Sequence, residues 1–319
     1  MITDSSIKPN ATFSFVVSGQ PRKTRIDSFI ASQFSAYSRS FISKLFAKQL
    51  VAKNGVLVHK NGEFICDNDV ITVQFPPERT IVAPQETSAL YPVEVVDEQE
   101  HFLIICKPAG LVVHPPSKHC PQYSLTDWLL ATYPEMYGVG TFGRPGIIHR
   151  LDKDTSGLMV IPRTNYAFTV FGDLFRSRTI YKTYMAVVEG HPEKIGMIDL
   201  PIGRDPYKKI KMKAFSPSEQ EKFDTVKMRD SITEFCVSQY YQKHTLVRVT
   251  PKTGRTHQIR AHFAAIGHPL LGDAVYGKQS AVIPRHALHA SKLSFIFDQK
   301  EYSYDSIIAK DILSALSHL

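Results

Sequence analysis

Apolar side chains at Ile26, Phe29, Ile30 and Phe34 fall three and four residues apart, the spacing of one helix face, with Asp27 in the first turn. Ser38 stands where it can cap a second helix carrying Phe41, Ile42, Leu45 and Phe46, which leaves Arg39, Lys44 and Lys48 largely off the apolar stripe. Short strand-like runs follow at 50–52, 56–58 and 70–73, punctuated by Asn54-Gly55 and Asn61-Gly62. The pattern predicts helix, helix and a hairpin-rich end built on two Asn-Gly turns. Pro76, Pro77, Pro84 and Pro92 then bracket a polar stretch, and prolines at that density interrupt helix and central strand alike. Residues 76–90 therefore read as a linker between a small unit, 1–75 with its core at 22–75, and a larger one, 91–319.

In the larger unit, 91–96 and 102–106 read as paired strands across Asp97-Glu98-Gln99-Glu100. Further strands are expected at 147–148, 158–161, 184–188, 232–237 and 245–249, and helices at 124–133, 166–176 and 256–266. Many strands with few crossover helices predict an α+β fold with a mixed, mostly antiparallel sheet.

Composition narrows the class. The 319 residues are 43% hydrophobic and 21% charged, which excludes a disordered or collagen-like chain. No apolar run approaches the roughly 20 residues that cross a bilayer. The polar N-terminus lacks a signal pattern, so a cytoplasmic protein with no membrane contact is expected. Cys66, Cys106, Cys120 and Cys236 lie far apart with no Cys-x-x-Cys pair and read as incidental thiols. Net charge is +8, and seven basic residues stand between Arg22 and Lys53 (Arg22, Lys23, Arg25, Arg39, Lys44, Lys48, Lys53) against Asp27 alone. Such a concentration fits a polyanion partner or a solvated basic face, and charge alone does not separate them.

Several motifs carry little. Gly138-Val-Gly140-Thr-Phe-Gly143 has dinucleotide-loop spacing, but a helical stretch precedes it and Pro145 follows, so it reads as a loop. His257 with His262, and His286 with His289, lack the third ligand and spacing of a zinc site; no metal is expected. The informative run is Gly146-Ile-Ile-His149-Arg150-Leu151-Asp152-Lys153-Asp154-Thr155-Ser156-Gly157, where an apolar pair leads into polar groups, a turn and an apolar strand. Polar groups wedged between buried strands are costly without partners. A carboxylate there either caps the turn or does chemistry, and the local pattern leans to the cap. Two further blocks shift that balance. Thr253-Gly254-Arg255-Thr256-His257-Gln258-Ile259-Arg260 sets arginines at the start of a helix, able to keep a buried carboxylate ionised. Tyr181-Lys182-Thr183-Tyr184 puts Tyr184 on the face of Lys182 and Ala186, an aromatic that can stack on a flat base.

Two resemblances follow. Residues 22–75, through Arg25-Ile26-Asp27-Ser28-Phe29-Ile30, Ser38-Arg39-Ser40, Val51-Ala52-Lys53-Asn54-Gly55 and Asp69-Val70-Ile71, resemble the S4 RNA-binding domain. That implies a grip on structured RNA by Arg22, Lys23, Arg25, Arg39, Lys44 and Lys48 through phosphate neutralisation. Residues 91–297 resemble the pseudouridine synthase superfamily, specifically its RluA branch. The match rests on His149-Arg150-Leu151-Asp152 with Thr155-Ser156-Gly157, on Lys182-x-Tyr184-x-Ala186, and on the arginine block with Gly267-His268-Pro269-Leu270-Leu271-Gly272-Asp273. Lys107-Pro108-Ala109-Gly110 and Arg285-His286-Ala287-Leu288-His289-Ala290 flank it. The resemblance implies an isomerase without cofactor, acting as a monomer on RNA, most naturally 23S RNA of the large ribosomal subunit. It implies that Asp152 is the catalytic carboxylate, that Tyr184 stacks on the flipped uracil and shuttles a proton, that Arg260 pairs with Asp152, and that Arg150 enters the RNA to hold the base out. Residues 208–223 depart from the family pattern and read as a basic loop touching RNA or a solvated insertion. Rival readings are a non-catalytic RNA-binding or ribosome-assembly protein on the same fold, and an RNA N-glycosidase using the same carboxylate with water.

Overall fold

The computed structural model describes residues 10–20, 23–34, 37, 39–76, 91–115, 122–141, 144–208 and 211–319. Arg22, Ser38, Cys120, Gly143, Lys209 and nearly all of 76–90 lie outside the described residues.

Aromatic burial organises the N-terminal unit. Helices α1 (Ile26–Gln33) and α2 (Arg39–Ala47) turn Ile26, Phe29, Ile30, Phe41, Ile42, Leu45 and Phe46 inward, as their spacing requires. Phe34 sits between them, its ring edge-on to Phe75 at 5.4 Å. Each such fully buried side chain stabilises by roughly 1.5–3 kcal/mol relative to exposure. Around the helices run β1 (Thr12–Val16), β2 (Thr24–Arg25), β3 (Val51–Lys53), β4 (Val56–Leu57), β5 (Phe64–Ile65) and β6 (Val70–Gln74). The order β1-β6-β3-β4 is antiparallel throughout, and β2 pairs separately with β5. Strand β1 precedes the expected core, and its Phe13 and Phe15 pack onto the aromatic cluster. Only one Asn-Gly pair makes a hairpin. Asn54 and Gly55 take φ of 52° and 80° between β3 and β4, the doubly left-handed turn that matches strand twist. Asn61-Gly62 is a turn between strands that pair elsewhere.

The larger unit is a nine-stranded sheet. Its strands are β7 (Glu94–Glu98), β8 (Phe102–Lys107), β11 (Ser156–Pro162), β12 (Tyr181–Glu189), β13 (Ile195–Asp199), β16 (Ile232–Tyr240), β17 (His244–Pro251), β18 (Leu288–Phe297) and β19 (Lys300–Asp305). The order is β13-β16-β17-β12-β18-β11-β8-β7, with β19 paired to β18. Every pairing is antiparallel except β11 with β18, so the expected α+β sheet is what forms. Strand β11 is buried along its whole length and reads as a continuous apolar run because helices cover both of its faces. On one face lies α3 (Leu125–Thr132), started by a Ser124–Asp127 capping box; on the other lies α4 (Asn165–Ser177), which inserts Ala167 and Phe171. Small hairpins, β9 (Gly140–Thr141) with β10 (Arg144–Pro145) and β14 (Ile202–Arg204) with β15 (Met212–Ala214), complete the strands. Helices α5 (Pro217–Lys222), α6 (Gln258–Ala265) and α7 (Lys310–Leu316) complete the helices. The 208–223 segment is thus, where described, β15 and α5, with a Ser216–Glu219 capping box, more regular than a loop.

One expected strand is absent. Ile147 and Ile148 form none; Ile147 packs into the α3 side of the sheet and Ile148 into the α4 side, so the pair pins an irregular segment at two cores. The polar His149-to-Asp152 run is therefore not a link between two strands but the approach to β11. No helix among the described residues is long and apolar enough to cross a membrane.

Candidate active site

Asp152 is presented by a turn braced from below. Leu151 is buried at 4% exposure, and Thr155 N–H donates to the Asp152 carbonyl at 3.2 Å. The Lys153 carbonyl accepts from Gly110 N–H at 2.9 Å and from the fully buried Lys107 ammonium at 3.0 Å. Lys107 Nζ also donates to the carbonyls of Pro108 and Leu111, which uses its three donors, while burial pushes its pKa down to about 7. Arg285 donates to the Asp154 carbonyl at 2.9 Å, and Thr155 Oγ1 bonds His286 Nε2 at 2.8 Å. The Asp154 carboxylate accepts no turn amide among the described residues; the braces replace the cap that the sequence suggested. Gly157 closes the turn. It has φ of 116°, and a Cβ there would lie 2.3 Å from the Ala290 carbonyl of β18, so only glycine lets the two parallel strands meet.

Arg260 reaches Asp152 from α6. Gln258 pins the helix start, accepting from Thr253 Oγ1 at 2.8 Å and Arg255 N–H at 2.9 Å and donating to the Ile232 carbonyl at 2.9 Å. His257 takes φ of 55° at the N-cap. Most of the helix is buried, so its polar residues need partners. His262 binds Thr233 Oγ1 and the Leu200 carbonyl, both at 2.9 Å. Arg260 donates from Nη1 to Asp152 Oδ2 at 3.1 Å, and grips Asp273 with Nε at 2.7 Å and Nη2 at 2.9 Å. The side chains of Arg260, Asp152 and Asp273 are 7%, 18% and 0% exposed, so water screens the trio little. Burial opposes the guanidinium charge, but the Asp273 hydrogen bonds and the two carboxylate charges outweigh it and raise the Arg260 pKa above its ordinary value. Burial likewise raises Asp273, and Arg260 wins there too, holding it below the usual carboxylate range. The guanidinium lies 5.1 Å from the Tyr276 ring centre.

Tyr184 faces the same cleft from β12. Burial first, then the Asp152 charge, pushes its phenol far above the ordinary value. His257 Nε2 stands 3.9 Å from Asp152 Oδ2, and its Nδ1 meets Tyr276 Oη at 3.1 Å. Asp152, Tyr184, His257 and Arg260 line a cleft of about 850 Å³ together with Arg150, Lys182 and Phe175. His149 is held in place: its Nε2 accepts from Val160 N–H at 3.1 Å and its ring stacks on Phe175 at 4.7 Å. Among the described residues no group of three metal-ligating side chains forms.

The fold therefore brings Asp152, Tyr184 and Arg260 together, with Arg150 exposed at the rim. The N-terminal cations lie apart on the small unit. Arg25 and Arg39 line a second concavity of about 500 Å³, although Arg25 is paired to Asp27 at 2.8 Å. Lys23 and Lys48 are exposed, whereas Lys44 is half-buried and its pKa is lowered by burial and by Arg144 of the larger unit. The sequence pattern does not single out Asp273 as a site residue. A signal for it exists all the same: a buried guanidinium has five donors, and one carboxylate cannot satisfy them.

The cleft thus presents one carboxylate, Asp152, held by an arginine that is itself held from behind, beside the mostly antiparallel sheet. Residues 101–265 match the family described as RNA pseudouridylate synthase. The chain is 37% identical over 286 residues, 88% of its length and 85% of the relative's, to an uncharacterized RNA pseudouridine synthase of Aquifex aeolicus. It is 34% identical over 301 residues, 90% of its length and 91% of the relative's, to ribosomal large subunit pseudouridine synthase D of Zymomonas mobilis. Among solved structures it superposes on human RNA pseudouridylate synthase domain containing 4 with a TM-score of 0.57 at 26% identity, over 70% of this chain and 92% of that one. The chain belongs to the RNA pseudouridylate synthase family, isomerases that convert uridine in RNA to pseudouridine. The resemblance to the RluA branch is borne out.

Proposed function

We propose that this enzyme isomerises particular uridines of large-subunit ribosomal RNA, with Asp152 as the catalytic carboxylate. The observation that carries the reading is the buried chain Asp152–Arg260–Asp273 opening into a cleft beside Tyr184. The reaction breaks the bond between uracil N1 and C1′, turns the base, joins C5 to C1′ and exchanges the C5 hydrogen for one on N1. Atoms balance without water or electrons. Arg260 holds Asp152 through a 3.1 Å hydrogen bond and sets a positive charge beside the carboxylate, which acts on an electron-poor sugar carbon or on the uracil ring. Tyr184 offers its ring face to the flipped base. Its raised pKa keeps the phenol protonated at neutral pH, so in any proton transfer it acts first as a donor. Arg150, exposed at the cleft mouth, is placed to enter the helix the base has left. The unit spanning residues 1–75 serves as an S4-like RNA grip through Arg22, Lys23, Arg25, Arg39, Lys44 and Lys48. Its support is the two-helix and hairpin arrangement, the exposed cations, and relatives named for the large ribosomal subunit. On this reading the enzyme works in the cytoplasm as a monomer.

The test compares Asp152→Asn with Asp154→Asn on an unmodified large-subunit ribosomal RNA transcript tritiated at uridine C5. Forming the carbon–carbon bond expels that tritium. Asp152→Asn is nearly isosteric and should release none while still folding and binding RNA. Asp154→Asn should keep most of the rate, because the turn is braced through the Asp154 carbonyl rather than its carboxylate. Release by Asp152→Asn, or a dead Asp154→Asn, overturns the assignment.

A further inference from the structure

The cations around the cleft differ in what they already touch. Arg260 is committed to two carboxylates. Lys252 pairs with Glu234 at 2.8 Å, Arg176 with Asp173, and Arg255 Nε donates to the Asp230 carbonyl at 3.1 Å. Arg150 and Arg178 stand in water. Lys182 is neither paired nor hydrated in this way. It is half-buried on β12 and makes no ion pair or hydrogen bond among the described residues. Its ammonium hangs 5.4 Å from the Phe175 ring centre, a weak substitute for an anion. Burial lowers its pKa, and no carboxylate counters that. Gly254 of the arginine loop lies close by: an added Cβ there would stand 3.9 Å from Lys182 Nζ, in van der Waals contact.

An ammonium drawn out of water without a counter-charge costs stability unless an anion arrives later. The anions that an RNA substrate carries are its phosphodiesters. Two residues further along β12 stands Tyr184, about 7 Å away along the strand, within the reach of one nucleotide, and both residues line the cleft. We propose that Lys182 is a positioning residue that holds a backbone phosphate beside the uridine whose base enters the cleft at Tyr184 and Asp152. The inference rests on the RNA-modifying reading above. It also gives Gly254 a reason: a side chain there would press on the ammonium that has to receive the phosphate.

The test uses the full chain and the tritiated large-subunit ribosomal RNA transcript. Binding of the wild type, Lys182→Gln and Lys182→Arg is measured across a series of KCl concentrations, with KM and kcat at fixed salt and thermal unfolding of each. One lost phosphate contact lowers the slope of log affinity against log salt by about 0.7–0.9, the range from single strand to duplex. Lys182→Gln should show that drop, with KM raised and kcat little changed, because the contact is held alike before and during reaction. Lys182→Arg should restore the slope. The unfolding midpoint of Lys182→Gln should stay level or rise, since an unpaired half-buried charge has been removed. An unchanged salt slope, or a lowered midpoint that marks the lysine as structural, overturns the proposal. A wild type that binds the transcript but releases no tritium refutes the substrate reading instead and leaves the slope comparison intact.

Discussion

Replacing Asp273 by Asn tests whether the catalytic geometry is fixed from behind Arg260. The carboxylate is wholly buried and receives Nε and Nη2 of Arg260 at 2.7 and 2.9 Å, together with the amides of Val275 and Tyr276 at 3.0 and 3.1 Å. Asn retains an oxygen for the two amides but presents an NH2 group where the guanidinium needs an acceptor. Removing one partner of a buried pair costs about 3–5 kcal/mol. Asp152 still neutralises Arg260 in part, so the lower end, about 3 kcal/mol, is expected. At roughly 2–4 °C per kcal/mol, Tm should fall by about 6–12 °C. Tritium release should drop at least about tenfold at saturating RNA, equal to a barrier rise of only about 1.4 kcal/mol. The control is Arg260→Met with Asp273→Leu. Exchanging both charges for apolar groups removes the ion pair but leaves the Val275 and Tyr276 amides and the Asp152 carboxylate without their partners, so stability should recover only in part and activity not at all. Asp273→Asn with Tm within about 2 °C of wild type and normal turnover refutes the reasoning, as does turnover by the double variant.

Three further outcomes follow from the same architecture. Removing residues 1–90 should weaken binding to large-subunit ribosomal RNA and flatten its salt dependence while leaving slow tritium release; a folded but wholly inactive truncation would show that the small unit does more than add affinity. Gly157→Ala should destabilise by at least about 1–3 kcal/mol from backbone conformation alone, with the Ala290 contact adding to it, as read by urea unfolding. His289 is 1% exposed, and burial pushes its pKa down to about 4. Between that value and the unfolded value near 6.5 the unfolded chain holds the extra proton. The His289 contribution is therefore complete above about pH 6.5 and is lost as pH falls, at up to about 1.4 kcal/mol per pH unit. Urea midpoints from pH 4.5 to 6.5 should be flatter in His289→Gln by that amount.

Much of the site is legible in the sequence because its chemistry sits in short contiguous blocks. His149-Arg150-Leu151-Asp152, Lys182-x-Tyr184 and Gly254-Arg255-Thr256-His257-Gln258-Ile259-Arg260 each carry residue types whose burial is costly unless they act or pair. The helices of the small unit are equally legible, since Ile26, Phe29, Ile30 and Phe34 repeat at helical spacing and all end in one core. Strand β18 escapes for the opposite reason. Its His289, Ser291 and Lys292 interrupt the alternation that marks a strand, and it is central only because β11 and β12 close on it from both sides.

What the sequence determined by itself was local and periodic: which stretches bury one face, which turns need Asn-Gly, and which polar runs demand a reason. Tertiary structure alone decided the partnerships. Asp152 and Arg260 are 108 residues apart and meet at 3.1 Å, while Asp273, in the loop after the same helix, takes the other side of the guanidinium. Likewise Asp154 has the local setting of a turn cap, yet the turn is held by Lys107 and Arg285, which come from other strands and loops. The physical reason is that a buried charge specifies only that a partner must exist. Which residue supplies it depends on the packing of distant elements, and no periodicity along the chain encodes that.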